Sequence, residues 1–249
     1  MLSIEHLSFS YGSKPILSDI SFNAADGKNT VILGINGEGK TTLLRCICGI
    51  LRPTAGKIIL DGEDITSVKA FRRSCRIAYV PQTERLSSLT VFDTVLSGRR
   101  GSFSFFPGKS DRERACKAIE QMGIAALAAK KTNELSGGEL RKVSAARAIC
   151  SDAKLILMDE PTANLDIGGA AKLTRTIKEI SAQNGVTFII TMHDVLFASR
   201  VADSFLLMKD GSAAAQGGTE ILTPQNIEKV YGIASSVHSI NGTTVAVPE

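Results

Sequence analysis

Residues 34–41, GINGEGKT, fit the pattern G-x-x-x-x-G-K-[ST]. Glycines at these places let the backbone curl until successive N–H groups face one centre, a concave nest for an anion. A helix starting at the end of the loop adds the positive end of its dipole. Lys40 would reach the β- and γ-phosphates of a nucleotide, and Thr41 would offer a hydroxyl to Mg²⁺. A second cluster is "LILMDE", residues 155–160, an apolar run closing on two carboxylates. Open α/β sheets bind ligands at that edge of their strands. Asp159 suits Mg²⁺, which keeps several waters and uses few protein carboxylates. Glu160, on the opposite strand face or just past the strand's end, is positioned to polarise a water as general base. A third cluster, "LSGGE" at 135–139, reads as a helix start with Ser136 capping and Glu139 in the capping-box position. A helix end bared by glycine can also bind phosphate. Two phosphate-binding ends in one chain fit a phosphate gripped from two sides, with a second subunit able to supply one of them.

The phosphate loop carries a carboxylate, Glu38, two residues before Lys40. Facing the phosphates, it would repel them at a cost of roughly several kcal/mol in a poorly hydrated site. The loop binds through backbone N–H groups, so the side chain is free to point outward.

These residues need a scaffold of strands and helices to converge. "SIEHLSFSY" and "ILSDISFNA" alternate as strands, and "NTVILG" is a continuous apolar run fitting a buried strand. With "KTTLLRCICGI" at helical spacing, the glycine loop sits between strand and helix, the context its motif requires. "GKIILDG" and "RIAYVPQ" are two further strands. From about Thr90 to Ser151 the pattern turns helical in "TVFDTVLSGRR", "SDRERACKAIEQMGI" and "SGGELRKVSAARAIC". Capping boxes are expected at Ser110 with Glu113 and at Ser136 with Glu139. Strands at "LILMDE", "TFIITMH" and "SFLLMKDG" alternate with helices at "IGGAAKLTRTIKEISAQNG" and "VLFASRVAD". The tail reads as a helix, "TPQNIEKVYG", and a hairpin turning at Asn241-Gly242. An α/β core with a helical insertion at 88–151 follows.

Composition narrows the class. The 249 residues are 43% hydrophobic and 22% charged, ordinary for a globular chain. No apolar run reaches the roughly 18 residues of a membrane span, and the N-terminus lacks the layout of a secretion signal. A cytosolic protein is expected, one still able to dock on something in the membrane. A formal charge of +4 is too small to argue for nucleic acid. The five cysteines include no CxxC pair, so buried reduced thiols are expected rather than a metal site. Arg72-Arg73 and Arg99-Arg100 read as solvated faces. The loop "GSFSFFPGK" reads as a partner-facing segment or an internal flap.

The ordered set "FSYG", "GINGEGKTT", "YVPQ", "LSGGE", "LILMDEPTANLD" and "TMHD" resembles the nucleotide-binding subunit of ABC transporters. The match runs from about Leu2 to Gly211, with Ser136 lying 23 residues before Asp159 and His193 lying 34 after it. The resemblance implies one domain over 1–249. It would comprise a P-loop NTPase (RecA-like) core at 1–87 and 152–215, with an N-terminal antiparallel β region. A helical subdomain at 88–151 and a C-terminal helix and hairpin at 216–249 would complete it.

The resemblance also implies roles. ATP would lie on Gly34, Ile35, Asn36, Gly37, Glu38, Gly39, Lys40, Thr41 and Thr42, with Tyr11 stacked on adenine. Mg²⁺ would be held by Thr41, Gln82 and Asp159. Catalysis would fall to Glu160, His193, Gln82 and Lys40. Ser136, Gly137, Gly138 and Glu139 would close on the ATP of the opposite subunit, and Asn164 and Asp166 would cross the interface of a homodimer that sandwiches ATP. Membrane permease subunits, and through them an extracytoplasmic substrate-binding protein, would be the partners, at the cytoplasmic face of the membrane and without nucleic acid.

Family members often have proline at the place of Ile35, a small residue at Glu38 and glutamine at Glu139. Position 38 lies toward the other subunit's "NLD" segment in that family. The Glu38 carboxylate is therefore expected to face the dimer interface, beside Asn164 or a neighbouring N–H. The stretch from Tyr79 to Ile124 and the "LTPQNIEKVYGI" tail are similar to importers of iron–siderophore, haem and cobalamin complexes. Importers of zinc or manganese share every motif and stay open, as do a soluble non-transport ABC ATPase and a non-hydrolysing sensor.

Overall fold

The computed structural model describes residues 1–83, 87–100, 106–163 and 165–249. The alternating N-terminal segments form β1 (Leu2–Tyr11) and β2 (Lys14–Ala24), and β3 (Asn29–Leu33) is the buried apolar run. Helix α1 (Lys40–Ile47) leaves the glycine loop, followed by β4 (Ala55–Leu60), the two-residue β5 (Glu63–Asp64), α2 (Ala70–Arg73) and β6 (Ile77–Val80). Three helices come next: α3 (Val91–Leu96), α4 (Lys109–Gln121) and α5 (Gly137–Cys150). Then β7 (Leu155–Asp159), α6 (Ile167–Asn184), β8 (Thr187–Met192), α7 (Val195–Val201), β9 (Ser204–Lys209) and β10 (Ser212–Gly217) alternate. The chain closes with α8 (Pro224–Tyr231) and the hairpin β11 (Ser235–Ile240) and β12 (Thr243–Pro248). Asn241 and Gly242 both take positive φ at the hairpin's turn, as an Asn-Gly turn requires.

Two sheets organise the molecule. The first is antiparallel, in the order β2-β1-β4-β5. The second runs β10-β9-β3-β8-β7-β6, parallel except for β10. Alternation along the parallel strands assigns their two faces. Ile32, Leu157, Ile189 and Leu206 join a core with α1 and the antiparallel sheet, whereas Val31, Leu33, Ile156, Phe188 and Phe205 join a core with the helices. Both faces are covered, so these strands are apolar throughout. Truncating the fully buried Phe188 or Phe205 to alanine would cost about 3–5 kcal/mol.

Register brings the strand ends together. Leu33 lies level with Met192, and Asp159 with Thr191. The segments after β3, β7 and β8 therefore leave the sheet side by side, carrying Gly34, Glu160 and His193 to one edge.

Several expectations need correction. Helix α4 is capped two residues before Ser110. Its N-cap is Gly108, whose N–H donates to Asp111 Oδ2 at 2.9 Å, and Ser110 lies inside the helix. Arg73 and Arg99 are buried rather than solvated. Arg73 donates to the carbonyls of Cys46, Ile47, Thr66 and Val68, tying the end of α1 to the segment before α2. Arg99 pairs with Asp111 and Asp152 and joins α4 to the loop after α5. Cys46, Cys48 and Cys150 are buried thiols, but Cys75 and Cys116 are exposed. Of the phenylalanine loop, Phe106 is 87% exposed; Phe103 and Phe105 lie outside the described residues. Among the described residues, no helix is long and apolar enough to cross a membrane.

Candidate functional site

The phosphate loop hangs between β3 and α1, and its glycines are dictated by contact. Gly39 takes φ 87°, and a Cβ there would lie 2.7 Å from Leu17 Cδ2 and 3.0 Å from the Ile16 carbonyl. A Cβ on Gly34 would lie 2.8 Å from the Met208 carbonyl oxygen. Only glycine lets the loop sit this close to β2 and β9. Ile35, Asn36 and Gly37 form the exposed rim of the loop, and Thr42 is buried behind it.

Lys40 stands at the start of α1, buried, with its ammonium donating to the carbonyls of Gly34 at 2.7 Å and Ile35 at 2.9 Å. Glu160 Oε1 lies 3.9 Å from Lys40 Nζ. Burial holds the Lys40 ammonium below the ordinary lysine range, opposed by the charges of Glu160, Asp159 and Glu38. A lysine lined by carboxylates on one side and by a glycine nest on the other is set to meet a polyanion.

Asp159 ends β7, 1% exposed, at the centre of a converging set of hydroxyls. Thr41 donates to its Oδ1 at 3.1 Å, Thr191 to the same oxygen at 2.7 Å, and Tyr79 to Oδ2 at 3.3 Å. Burial and the adjacent Asp159 charge push the Tyr79 phenol up to about 12, so it stays a donor. Glu160 follows past the strand end with φ 47°, a left-handed conformation uncommon for a side chain with a Cβ. Its N–H donates to Thr191 Oγ at 2.9 Å, and Gln82 Nε2 donates to its Oε2 at 2.8 Å. The strained turn and these bonds hold the general-base candidate toward Lys40, the kind of outlier that accumulates at functional sites.

The remaining candidates divide into two groups. Lys40, Thr41, Asp159, Glu160 and Gln82 form one cluster. Ser136, Gly137, Gly138 and Glu139 stand apart at the start of α5. Here Ser136 and Glu139 form a reciprocal capping box, and the Ser136 bonds hold the Glu139 carboxyl below its usual range. Asp166 caps α6, accepting from Gly169 N–H at 2.6 Å; Asn164 lies outside the described residues. Tyr11 is 49% exposed at the end of β1, edge-on to Phe9. His193 is exposed just past β8, and its carbonyl accepts from Tyr231 OH at 3.3 Å.

Glu38 overturns its expectation. Its side chain is 7% exposed and turns inward to the junction of β9 and β10, accepting from Gly211 N–H at 3.4 Å. The backbone N–H there offers a partner that an outward-facing carboxylate would lack. The sequence assigns no role to Thr191, Lys209 or Tyr231, nor to Tyr79, although Tyr79 opens the "YVPQ" motif. A threonine inside the apolar strand "TFIITM" was the one signal available, since a buried hydroxyl needs a partner.

A strand, glycine loop and helix meeting a strand-end Asp-Glu pair, on a mainly parallel sheet, define a P-loop nucleoside triphosphatase cassette. The sequence profile of the ABC transporter family matches residues 17–163. The chain belongs to the ABC transporter family, and it is an ATP-binding, ATP-hydrolysing subunit. An uncharacterized ABC transporter ATP-binding protein of Methanocaldococcus jannaschii is 39% identical over 248 residues, covering 100% of this chain and 98% of that protein. The hemin import ATP-binding protein HmuV of Bordetella avium is 35% identical over 246 residues, 95% and 94% of the two chains. The phosphonates import ATP-binding protein PhnC of Nitratidesulfovibrio vulgaris is 33% identical over 243 residues, 93% and 91%. Among solved structures, an ABC transporter assigned to the metal-chelate type, in an inward-facing conformation, superposes with a TM-score of 0.85 at 29% identity, covering 100% and 96%.

Proposed function

We propose that this chain powers an importer, hydrolysing ATP as a homodimer beneath separate membrane permease subunits that take substrate from an extracytoplasmic binding protein. The observation that carries the hydrolytic part of this reading is the contact between Gln82 and Glu160 beside Lys40, and the hemin and phosphonate import relatives support the importer part. Glu160 acts as general base on water, and Gln82 reports the state of that carboxylate to the segment leading into α3. Lys40 and the loop N–H groups hold the phosphates. Tyr11 stacks on the base, and His193 steadies the transferred group.

The hydroxyl of Thr41 and the carboxylate of Asp159, 3.1 Å apart, are hard oxygen donors of the kind Mg²⁺ prefers. Bound there with ATP, Mg²⁺ would neutralise charge on the phosphate oxygens. The Ser136–Glu139 helix end forms its bonds within itself and is free to serve a second copy's nucleotide, with Asp166 across the same interface. ATP would then join the two copies, and hydrolysis would release them.

For the cargo, we propose an iron chelate such as haem or a siderophore complex, or cobalamin. The hemin and metal-chelate relatives support it, alongside the similar 79–124 stretch and tail. The phosphonate relative matches at nearly the same identity, so metal-ion and other importers are the second reading.

Two measurements test this. Purified chain should release phosphate from ATP, and Glu160→Gln should lower turnover by about 10²–10⁴-fold while keeping ATP binding. Capture of the native membrane partner, followed by haem or siderophore uptake in cells lacking this chain, tests the cargo. Turnover by a strict monomer would overturn the dimer reading.

A further inference from the structure

Glu38 is a buried carboxylate inside a loop built for polyanions, and the residues around it explain how it is tolerated. Lys40 already has Glu160 at 3.9 Å, and the charges of Asp159 and Glu38 also act on it. One ammonium therefore faces more than one carboxylate before any phosphate arrives. Lys209, the last residue of β9, supplies a further positive charge, its Nζ 3.9 Å from Glu38 Oε1. The other oxygen of Glu38 accepts from Gly211 N–H, so both ends of the carboxylate are engaged.

The junction of β9 and β10 is itself fixed. Ser18 N–H donates to the Gly211 carbonyl at 2.9 Å, and Ser212 Oγ donates to the Ser18 carbonyl at 3.1 Å. A Cβ on Gly211 would lie 2.3 Å from the Ile16 carbonyl, the same carbonyl that crowds Gly39. The phosphate loop, β2 and the β9–β10 turn thus meet at one point, and Glu38 bridges two of them. Lys209 is 30% exposed, so its charge is only partly screened by solvent.

We propose that Lys209 is a positioning residue for nucleotide binding. It neutralises Glu38, and together they seat the phosphate loop against the β9–β10 turn. Removing Lys209 leaves a desolvated negative charge beside the phosphates, whereas removing the charge of Glu38 relieves it. The two effects must therefore depend on each other. This deepens the ATPase reading and rests on it.

The test is a double-mutant cycle on the full-length protein, read as Mg²⁺-ATP affinity by calorimetry, with thermal melting to verify folding. Lys209→Met should weaken ATP by about tenfold, and Glu38→Gln, which keeps an acceptor for Gly211 N–H, should restore that loss when combined with it. Lys209→Arg should bind within about twofold of the wild type, since it keeps the charge; should Lys209→Met fail to fold, Lys209→Gln takes its place in the cycle. Additive effects of the two changes, or an unchanged affinity in Lys209→Met, would overturn the inference. If the wild type itself bound no ATP, the ATPase reading would be at fault instead.

Discussion

Thr191 holds both members of the Asp159–Glu160 pair, donating to Asp159 Oδ1 at 2.7 Å and accepting the Glu160 N–H at 2.9 Å. It is fully buried in β8, so no water can replace either bond. Thr191→Val keeps the shape and removes both. We expect a stability loss of about 1–3 kcal/mol by urea denaturation. ATP turnover should fall about tenfold or more, because Glu160 loses an anchor of its left-handed turn. Unchanged turnover would show that the Thr191 carbonyl, which also accepts from Glu160 N–H at 3.1 Å, suffices.

The cysteines divide by burial. Cys75 and Cys116 are exposed, and Cys46, Cys48 and Cys150 are buried. Desolvation pushes the Cys46 thiol up to about 12 and Cys150 to about 11, so neither offers thiolate at neutral pH. Native protein treated with iodoacetamide should take label at Cys75 and Cys116 alone, with the rest labelled only after denaturation. Mass spectrometry of the labelled peptides reads this directly, and early labelling of Cys46 would contradict the packing of α1 between the sheets.

Much of this architecture was legible because local and long-range signals agree. The apolar run of β3, the glycine loop and the periodicity of α1 are consecutive, so one stretch of chain specifies its own geometry. The Asn241-Gly242 turn and the Ser136–Glu139 cap are equally local. What escaped was set by residues distant in the chain. Nothing near Glu38 announces that Gly211, 173 positions away, will present an N–H to it. Strand β10, "SAAAQG", has a sequence poor in strand formers and pairs because β9 lies beside it. Arg73 and Arg99 look like surface charges until the carbonyls of α1 and the carboxylates of Asp111 and Asp152 are brought to them.

Arg73 supplies the next test. Its guanidinium serves four carbonyls, those of Cys46, Ile47, Thr66 and Val68, including two at the C-terminal end of α1. An ammonium cannot span that set, because its donors radiate from one atom. Arg73→Met leaves acceptors buried without donors, and should cost about 2–4 kcal/mol by chemical denaturation. Arg73→Lys should recover only part of this. Full recovery by lysine would mean that charge at the helix end, rather than the fork of hydrogen bonds, is what matters.

Alkaline pH offers a reading of the site's interior. Burial raises both Tyr79, to about 12, and Tyr231, with nearby carboxylates acting in the same direction. In the unfolded chain a tyrosine loses its proton near pH 10. Between that pH and the folded value, the native state holds protons that the unfolded state has released. Stability must then fall as pH rises through this window, and it is unaffected well below it. Tyr79→Phe removes one source of the fall and should flatten the loss of stability between about pH 10 and 12, measured by denaturation at a series of pH values. At neutral pH the same variant lacks the hydroxyl that reaches Asp159 Oδ2, so its ATP turnover should drop while its alkaline profile improves. A variant that changed neither would place the phenol outside the hydrogen-bond network of β7, and the donor set of Asp159 would reduce to Thr41 and Thr191.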